Sequence, residues 1–282
     1  MNNIPMCPLK TERILLVTDK SQYSEGAIRE GIKFAKLCSS RLYAISVVES
    51  NPEYEAISPI EFAKMETEVL SHLEEIKLSA SKEDVYCETV LAHADEEYQG
   101  IVDEAKNRRI NMIIIGRHGF TGVKKLLTSE VAAKVIGHAP CKVLVVPIAA
   151  KFECKSIIIG ADGSHHSKAA VLQGIDIAKR CGGTIIALCS YRSDDELAQA
   201  KINVNEVVEM ASKEDVSVET LTPKGKSFEI IIDLANSRAA DLIVVGSYGI
   251  TGIKKLLMGS STEKVIAQAP CAVLVVNADN TQ

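Results

Sequence analysis

The feature that most constrains this chain is that it contains one unit twice. RILLVTDKSQYSEGAIREGIKFAKLC at 13–38 is matched by SIIIGADGSHHSKAAVLQGIDIAKRC at 156–181, an offset of 143. NMIIIGRHGFTGVKKLLTSEVAAKVIGHAPCKVLVVP at 111–147 is matched by DLIVVGSYGITGIKKLLMGSSTEKVIAQAPCAVLVVN at 241–277, an offset of 130. Such self-similarity means two copies of one fold rather than one large core. The 282 residues divide into domains at 1–150 and 151–282, joined by a short linker at 148–153, and each half is long enough to bury its own core. The change of offset falls after the second strand, where the first copy carries ESNPEYEAISPI at 49–60. That loop reads first as a neutral insertion and second as a lid or partner surface.

Within each copy, short Val, Ile and Leu runs alternate with segments of helical period, the pattern of a parallel sheet covered by helices on both faces. In the first copy strands are predicted at 14–18, 42–48, 85–92, 112–116 and 142–147, with helices at 24–38, 60–81, 95–109 and 129–138. The second copy repeats this with strands at 157–160, 184–190, 216–222, 242–246 and 272–277 and helices near Ser167, Glu196, Phe228 and Ser260. The fold class is therefore α/β, with two tandem doubly wound, Rossmann-like domains and parallel five-stranded sheets. KVLVVP and AVLVVN, the last strand of each copy, are apolar edges that need cover.

Composition narrows the function classes. The net charge is −5, split −3 and −2 between the halves, and aromatic residues are 4% with no Trp. Neither a basic footprint nor stacking platforms for nucleic acid are present. No stretch reaches about 18 uninterrupted apolar residues, so no membrane span is expected, and the N-terminus lacks the pattern of a secretory signal. A cytoplasmic location is the expectation. Eight cysteines without a CxxC pair read as small core residues of a reducing compartment rather than metal ligands or disulfides.

The chemistry-bearing stretch is DLIVVGSYGITGIKKLLMGSSTEKVIAQAP at 241–270. Gly246 and Gly249 follow an apolar strand, and Gly259 precedes Ser260, Ser261 and Thr262 at a helix start. Glycine lets backbone N–H groups approach an anion, and a helix start offers unpaired N–H groups and a positive dipole end. The plainer reading makes the glycines strand-end and turn residues and Ser260 an N-cap. In an open parallel sheet, loops after neighbouring strands converge at the carboxyl edge where strand order reverses. The loop after the first strand of this copy supplies Asp162, suited to a donor on a base or ribose, or to capping its own loop.

Asp162 followed by Gly-Ser and a helix, Gly246 and Gly249, nine residues, Gly259-Ser260, and a terminal PCAVLVV strand resemble the universal stress protein family. The resemblance covers both halves, from about Arg13 to Pro147 and Lys155 to Asn277. It implies strand order 3-2-1-4-5 and, in nucleotide-binding members, ATP in the crevice, or ADP or AMP, with Mg2+ or Mn2+ as a bridging cation. By position, Asp162 and Ser190 would line the adenine and ribose end. Val245 and Gly246 would pack beneath the nucleoside, and Gly249 would admit ribose and phosphates. Gly259, Ser260, Ser261 and Thr262 would hold the phosphates. The match departs at Gly160, where proline is common, and at Ser190, where an apolar residue is common. The resemblance also implies pairing of the two domains through residues 143–146 and 273–276 about a pseudo-twofold axis, and a homodimer of two chains.

The first copy keeps Asp19, Gly116 and Gly119 but reads Ser129-Glu130-Val131-Ala132 where the second has Gly259-Ser260-Ser261-Thr262. A carboxylate at Glu130 would repel phosphate, so nucleotide is expected in the second domain only. Gly225-Lys226-Ser227 resembles the end of a P-loop but lacks its first glycine and precedes the wrong helix, so it reads as a loop and N-cap. Lys124-Lys125 and Lys254-Lys255 recur in both copies and read as solvated; His165-His166 reads as a surface pair and His118 has no assignable role. No general base, catalytic residue or protein metal ligand is identifiable, so any ATP hydrolysis would be slow. The expected function is an ATP-binding stress-response or regulatory protein. Alternatives are a nucleotide-free interaction scaffold and an adenylating, pyrophosphate-releasing enzyme.

Overall fold

The protein was described from a computed structural model covering residues 7–49, 58–117, 130–249 and 258–278. Most of the 49–60 loop, together with His118, Gly119, Lys124, Lys125, Ser129, Lys254 and Lys255, lies outside the described residues.

The first domain runs β1 Arg13–Val17, α1 Glu25–Cys38, β2 Arg41–Glu49, α2 Pro59–Lys82, β3 Cys87–Ala94, α3 Glu97–Asn107, β4 Met112–Gly116, α4 Glu130–His138 and β5 Lys142–Val146. The second runs β6 Ser156–Gly160, α5 His165–Cys181, β7 Thr184–Leu188, α6 Leu197–Ser212, β8 Val218–Leu221, α7 Ser227–Ser237, β9 Leu242–Gly246, α8 Ser260–Gln268 and β10 Ala272–Val276. Central strands carry apolar residues on both faces because helices cover both: Ile14, Leu15, Ile113, Ile114, Ile157, Ile158, Ile243 and Val244 are fully buried. Burying each such side chain contributes about 1.5–3 kcal/mol.

The ten strands of the described residues form one sheet in the order β3-β2-β1-β4-β5-β10-β9-β6-β7-β8. Each half has order 3-2-1-4-5 with parallel pairing throughout. The halves join where β5 pairs antiparallel with β10, Leu144 standing opposite Leu274 and Val145 opposite Val273. These side chains are 1% exposed, so two sticky edges become one interior. The linker is strapped to α1. Arg29 donates to the carbonyls of Ile148 and Ala150, buried Glu30 accepts the Phe152 N–H, and the Phe152 ring stacks on Phe34.

Two expectations change. Strand β7 stops at Leu188, where Cys189 and Ser190 leave the sheet to line the crevice, and β8 spans only Val218–Leu221. The expectation of free cysteines fails at Cys7 and Cys38, which form a disulfide with Cα atoms 4.4 Å apart. Topology rather than spacing makes this pair: the segment entering β1 passes the end of α1, which Cys38 closes. The other six cysteines are free thiols, and burial pushes Cys141 and Cys271 up to about 12.

Candidate functional site

Because β6 and β9 are parallel neighbours, the loops after them open at the same edge of the second sheet. After β6, the Asp162 carboxylate Oδ1 accepts the Ser164 N–H at 2.9 Å, and the Asp162 N–H donates to Ser167 Oγ at 3.1 Å. Ser164 caps α5 by accepting the Ser167 N–H at 3.2 Å and donates its own hydroxyl to the Tyr248 carbonyl at 3.3 Å. One serine thus ends one loop and stitches it to the other. Asp162 is held from both sides, and its Oδ2 faces Gly249, where a Cβ would lie 2.7 Å away.

The glycines differ in what requires them. A Cβ on Gly246 would lie 2.7 Å from the His166 carbonyl carbon and 2.8 Å from the Ser167 nitrogen, so the start of α5 can approach β9 only over a glycine. Gly259 is another case. Its φ of −66° and ψ of 138° suit any residue, and it caps α8 with no side-chain hydrogen bond. Among the described residues a Cβ there would meet nothing closer than 3.5 Å. Their packing does not demand this glycine, and its side chain places no cap on the first N–H groups of α8.

One cavity of about 560 Å3 is lined by all nine residues singled out in the sequence: Asp162, Ser190, Val245, Gly246, Gly249, Gly259, Ser260, Ser261 and Thr262. Ser260 and Ser261 are exposed, and their hydroxyls have no partner among the described residues. Thr262 differs: it is 7% exposed, and its hydroxyl donates to the Gly246 carbonyl at 2.9 Å. That donor is committed to joining α8 to β9. At the other end Leu188, Ile231 and Val245 make an apolar lining, and Ser190 Oγ lies 2.6 Å from Ser227 Oγ.

Sequence reasoning missed Ser227, Ile231, Arg192, Glu196 and Tyr248, all of which line the cavity. Ser227 was discounted with its P-loop lookalike. Its place at the start of the helix after the third strand, on the same carboxyl edge, was the available signal. His166 is more than half of a surface pair, since its Nδ1 accepts the Ala278 N–H at 3.1 Å and so ties α5 to the C-terminal segment. Among the described residues no group of three or more His, Cys, Asp or Glu side chains gathers as a metal cluster.

The equivalent crevice of the first domain is a cavity of about 120 Å3. Its lining includes Asp19, Tyr23, Gly116, Val131 and Glu97. Glu97 opens α3 where Ser227 opens α7. Burial, then the charges of Asp19 and Glu49, push its carboxyl up to about 7. Glu130, expected to supply the charge opposing phosphate, is instead 82% exposed and pairs with Lys134 at 3.0 Å. One turn into its own helix lies a better-placed cation than the crevice offers, so Glu97 and Asp19 are the acids that face this cavity.

Comparison with known proteins agrees with this architecture. The model of the universal stress protein family matches residues 10–147 and again 153–277. A universal stress protein of Methanocaldococcus jannaschii is 33% identical over 138 residues, covering 43% of this chain and 81% of that protein. One from Thermus aquaticus is 31% identical over 134 residues, covering 43% of this chain and 98% of that protein. In fold, the crystal structure of a universal stress protein from Archaeoglobus fulgidus superposes with a TM-score of 0.78 at 19% identity, covering 96% of this chain and 100% of that one. Each sequence relative thus spans a single repeat-length, whereas the structural neighbour spans both domains. The chain belongs to the universal stress protein family and carries the family's unit twice.

Proposed function

We propose that the chain is an ATP-binding stress-response or regulatory protein that holds ATP, or ADP or AMP, in its second domain. The observation that carries this reading is Gly259: a glycine at a helix N-terminus that neither its backbone angles nor its neighbours among the described residues require. Phosphate oxygens approaching the N–H groups of α8 would require it. Ser260 and Ser261 would add hydroxyl donors, while Thr262 contributes its backbone N–H and fixes the helix through its side chain. Adenine and ribose would occupy the end between Val245, Ile231 and the Ser190–Ser227 pair, with Asp162 and Gly249 at the ribose. Mg2+ or Mn2+ would accompany the phosphates, with Asp162 and Glu196 the carboxylates of the lining.

The first domain, 1–150, then serves as the structural partner of 151–282 through the β5–β10 seam, and two chains form a homodimer in the cytoplasm. Its smaller crevice, where the partly buried Glu97 stands at the helix start that Ser227 occupies in the second domain, supports that division. The test is heat denaturation of freshly purified protein and chromatography of the released small molecules. Adenine nucleotide is expected from the natural chain and none from Gly259→Asp. A fresh chain that releases no nucleotide and shows no thermal shift with ATP would support the scaffold reading instead.

A further inference from the structure

A cavity that the nucleotide reading leaves unused lies at the opposite, amino-terminal edge of the first sheet, where Cys38 at the end of α1 and Arg180 of α5 line one hollow. Its volume is about 750 Å3, and Lys10, Arg13, Arg41 and Arg180 line it together with a single carboxylate, Glu12. In a chain of net charge −5, four cations and one acid around one hollow invert the average. Arg180 is neutralised by Asp176 at 2.8 Å. Lys10, Arg13 and Arg41 form no ion pair among the described residues: Arg13 donates one nitrogen to the Arg108 carbonyl, and Arg41 lies 5.9 Å from the centre of the Tyr86 ring. Three cations without an ion pair around one hollow make it a place where an anion is favoured. Thr11 also stands in the lining; it is 4% exposed, and its buried Oγ1 has no hydrogen-bond partner among the described residues.

We propose that this groove is a binding site for a small anion with adjacent phosphoryl groups. Arginine forks match phosphate oxygens bidentately, and lysine adds a point charge. The volume exceeds what one phosphate fills, so several linked phosphoryl groups can meet Arg13, Arg41 and Lys10 at once. The source is either an inorganic condensed phosphate or the phosphate tail of a nucleotide. The site is independent of the second-domain crevice.

The experiment is calorimetric titration of inorganic tripolyphosphate, and separately ATP, into the full chain carrying Gly259→Asp, which disables the second-domain crevice. Tripolyphosphate is expected to bind one per chain, and Lys10→Gln with Arg41→Gln to weaken it by about tenfold or more, since charge-assisted bonds to phosphate are lost. Both side chains are exposed; if the double variant loses its melting transition, Lys10→Gln alone supplies the comparison, with a smaller loss expected. ATP binding as tightly as tripolyphosphate names the nucleotide tail as the source, and tripolyphosphate alone names the inorganic anion. Absence of tripolyphosphate binding in the Gly259→Asp chain, or binding that neither variant alters, overturns the proposal. Failure of the nucleotide reading shows separately, as natural protein that releases no nucleotide.

Discussion

Glu97 and Ser227 begin equivalent helices of the two repeats, and each lines the crevice of its own domain. In the second domain the short hydroxyl bonds to Ser190 at 2.6 Å at one end of a cavity of about 560 Å3. In the first, a partly buried carboxyl faces Asp19 across a cavity of about 120 Å3. Duplication preserved the scaffold, and the helix-opening residue is one of the positions at which the two crevices differ.

The Glu97 carboxyl is pushed up to about 7 in the folded chain, against 4.5 for an unburied glutamate. Between those values the folded state holds a proton that the unfolded state has lost, so this group's contribution is present below pH 4.5 and lost as pH rises through 7. Glu97→Gln should therefore raise Tm at pH 8 and flatten the fall in Tm between pH 5 and 8. Parallel pH profiles for the two proteins would contradict this placement of Glu97.

Gly259→Ala separates fold from ligand. An added Cβ would find its nearest neighbour at 3.5 Å, so the cost is limited to the weaker capping of alanine, about 1 kcal/mol. Nucleotide affinity should fall by about tenfold or more, the loss of one charge-assisted phosphate contact. A large loss of stability in urea unfolding would mean that the fold itself requires the glycine.

Thr262→Val keeps shape and removes the 2.9 Å bond to the Gly246 carbonyl. The unsatisfied buried carbonyl should cost about 1–3 kcal/mol, measured as a lower urea midpoint at unchanged m-value.

The Cys7–Cys38 bond spans 31 residues, and closing such a loop stabilises by about 3–4 kcal/mol in the chain-entropy model. Intact mass under non-reducing conditions should be lighter by two hydrogens than the fully reduced chain. Reductant should lower Tm of the natural protein and leave Cys38→Ser unmoved.

The fold was legible in the sequence because strands buried on both faces have to be apolar throughout, and because two copies of the pattern checked each other. Asp162, Gly246 and Gly259 were legible for a related reason, since they sit at strand ends or a helix start that the parallel topology brings to one edge, whereas Ser190 and Val245 followed from the family resemblance. Residues whose role depends on three-dimensional direction were not. Glu130 turns outward to Lys134 while Glu97 turns inward, and two glutamates at helix starts look alike in a string of letters. Cys7 meets Cys38 only because a segment crosses a helix end, and Arg13, Arg41 and Arg180 gather from three separate elements, with Lys10 on the segment that enters β1.

The most direct test of the central claim is a crystal of the full chain soaked with ATP. Nucleotide density is expected in the second-domain crevice, its phosphates at the N–H groups after Gly259, with the crevice lined by Asp19 and Glu97 empty. Density filling both crevices, or absent from the second while ATP is bound by the first, would contradict it.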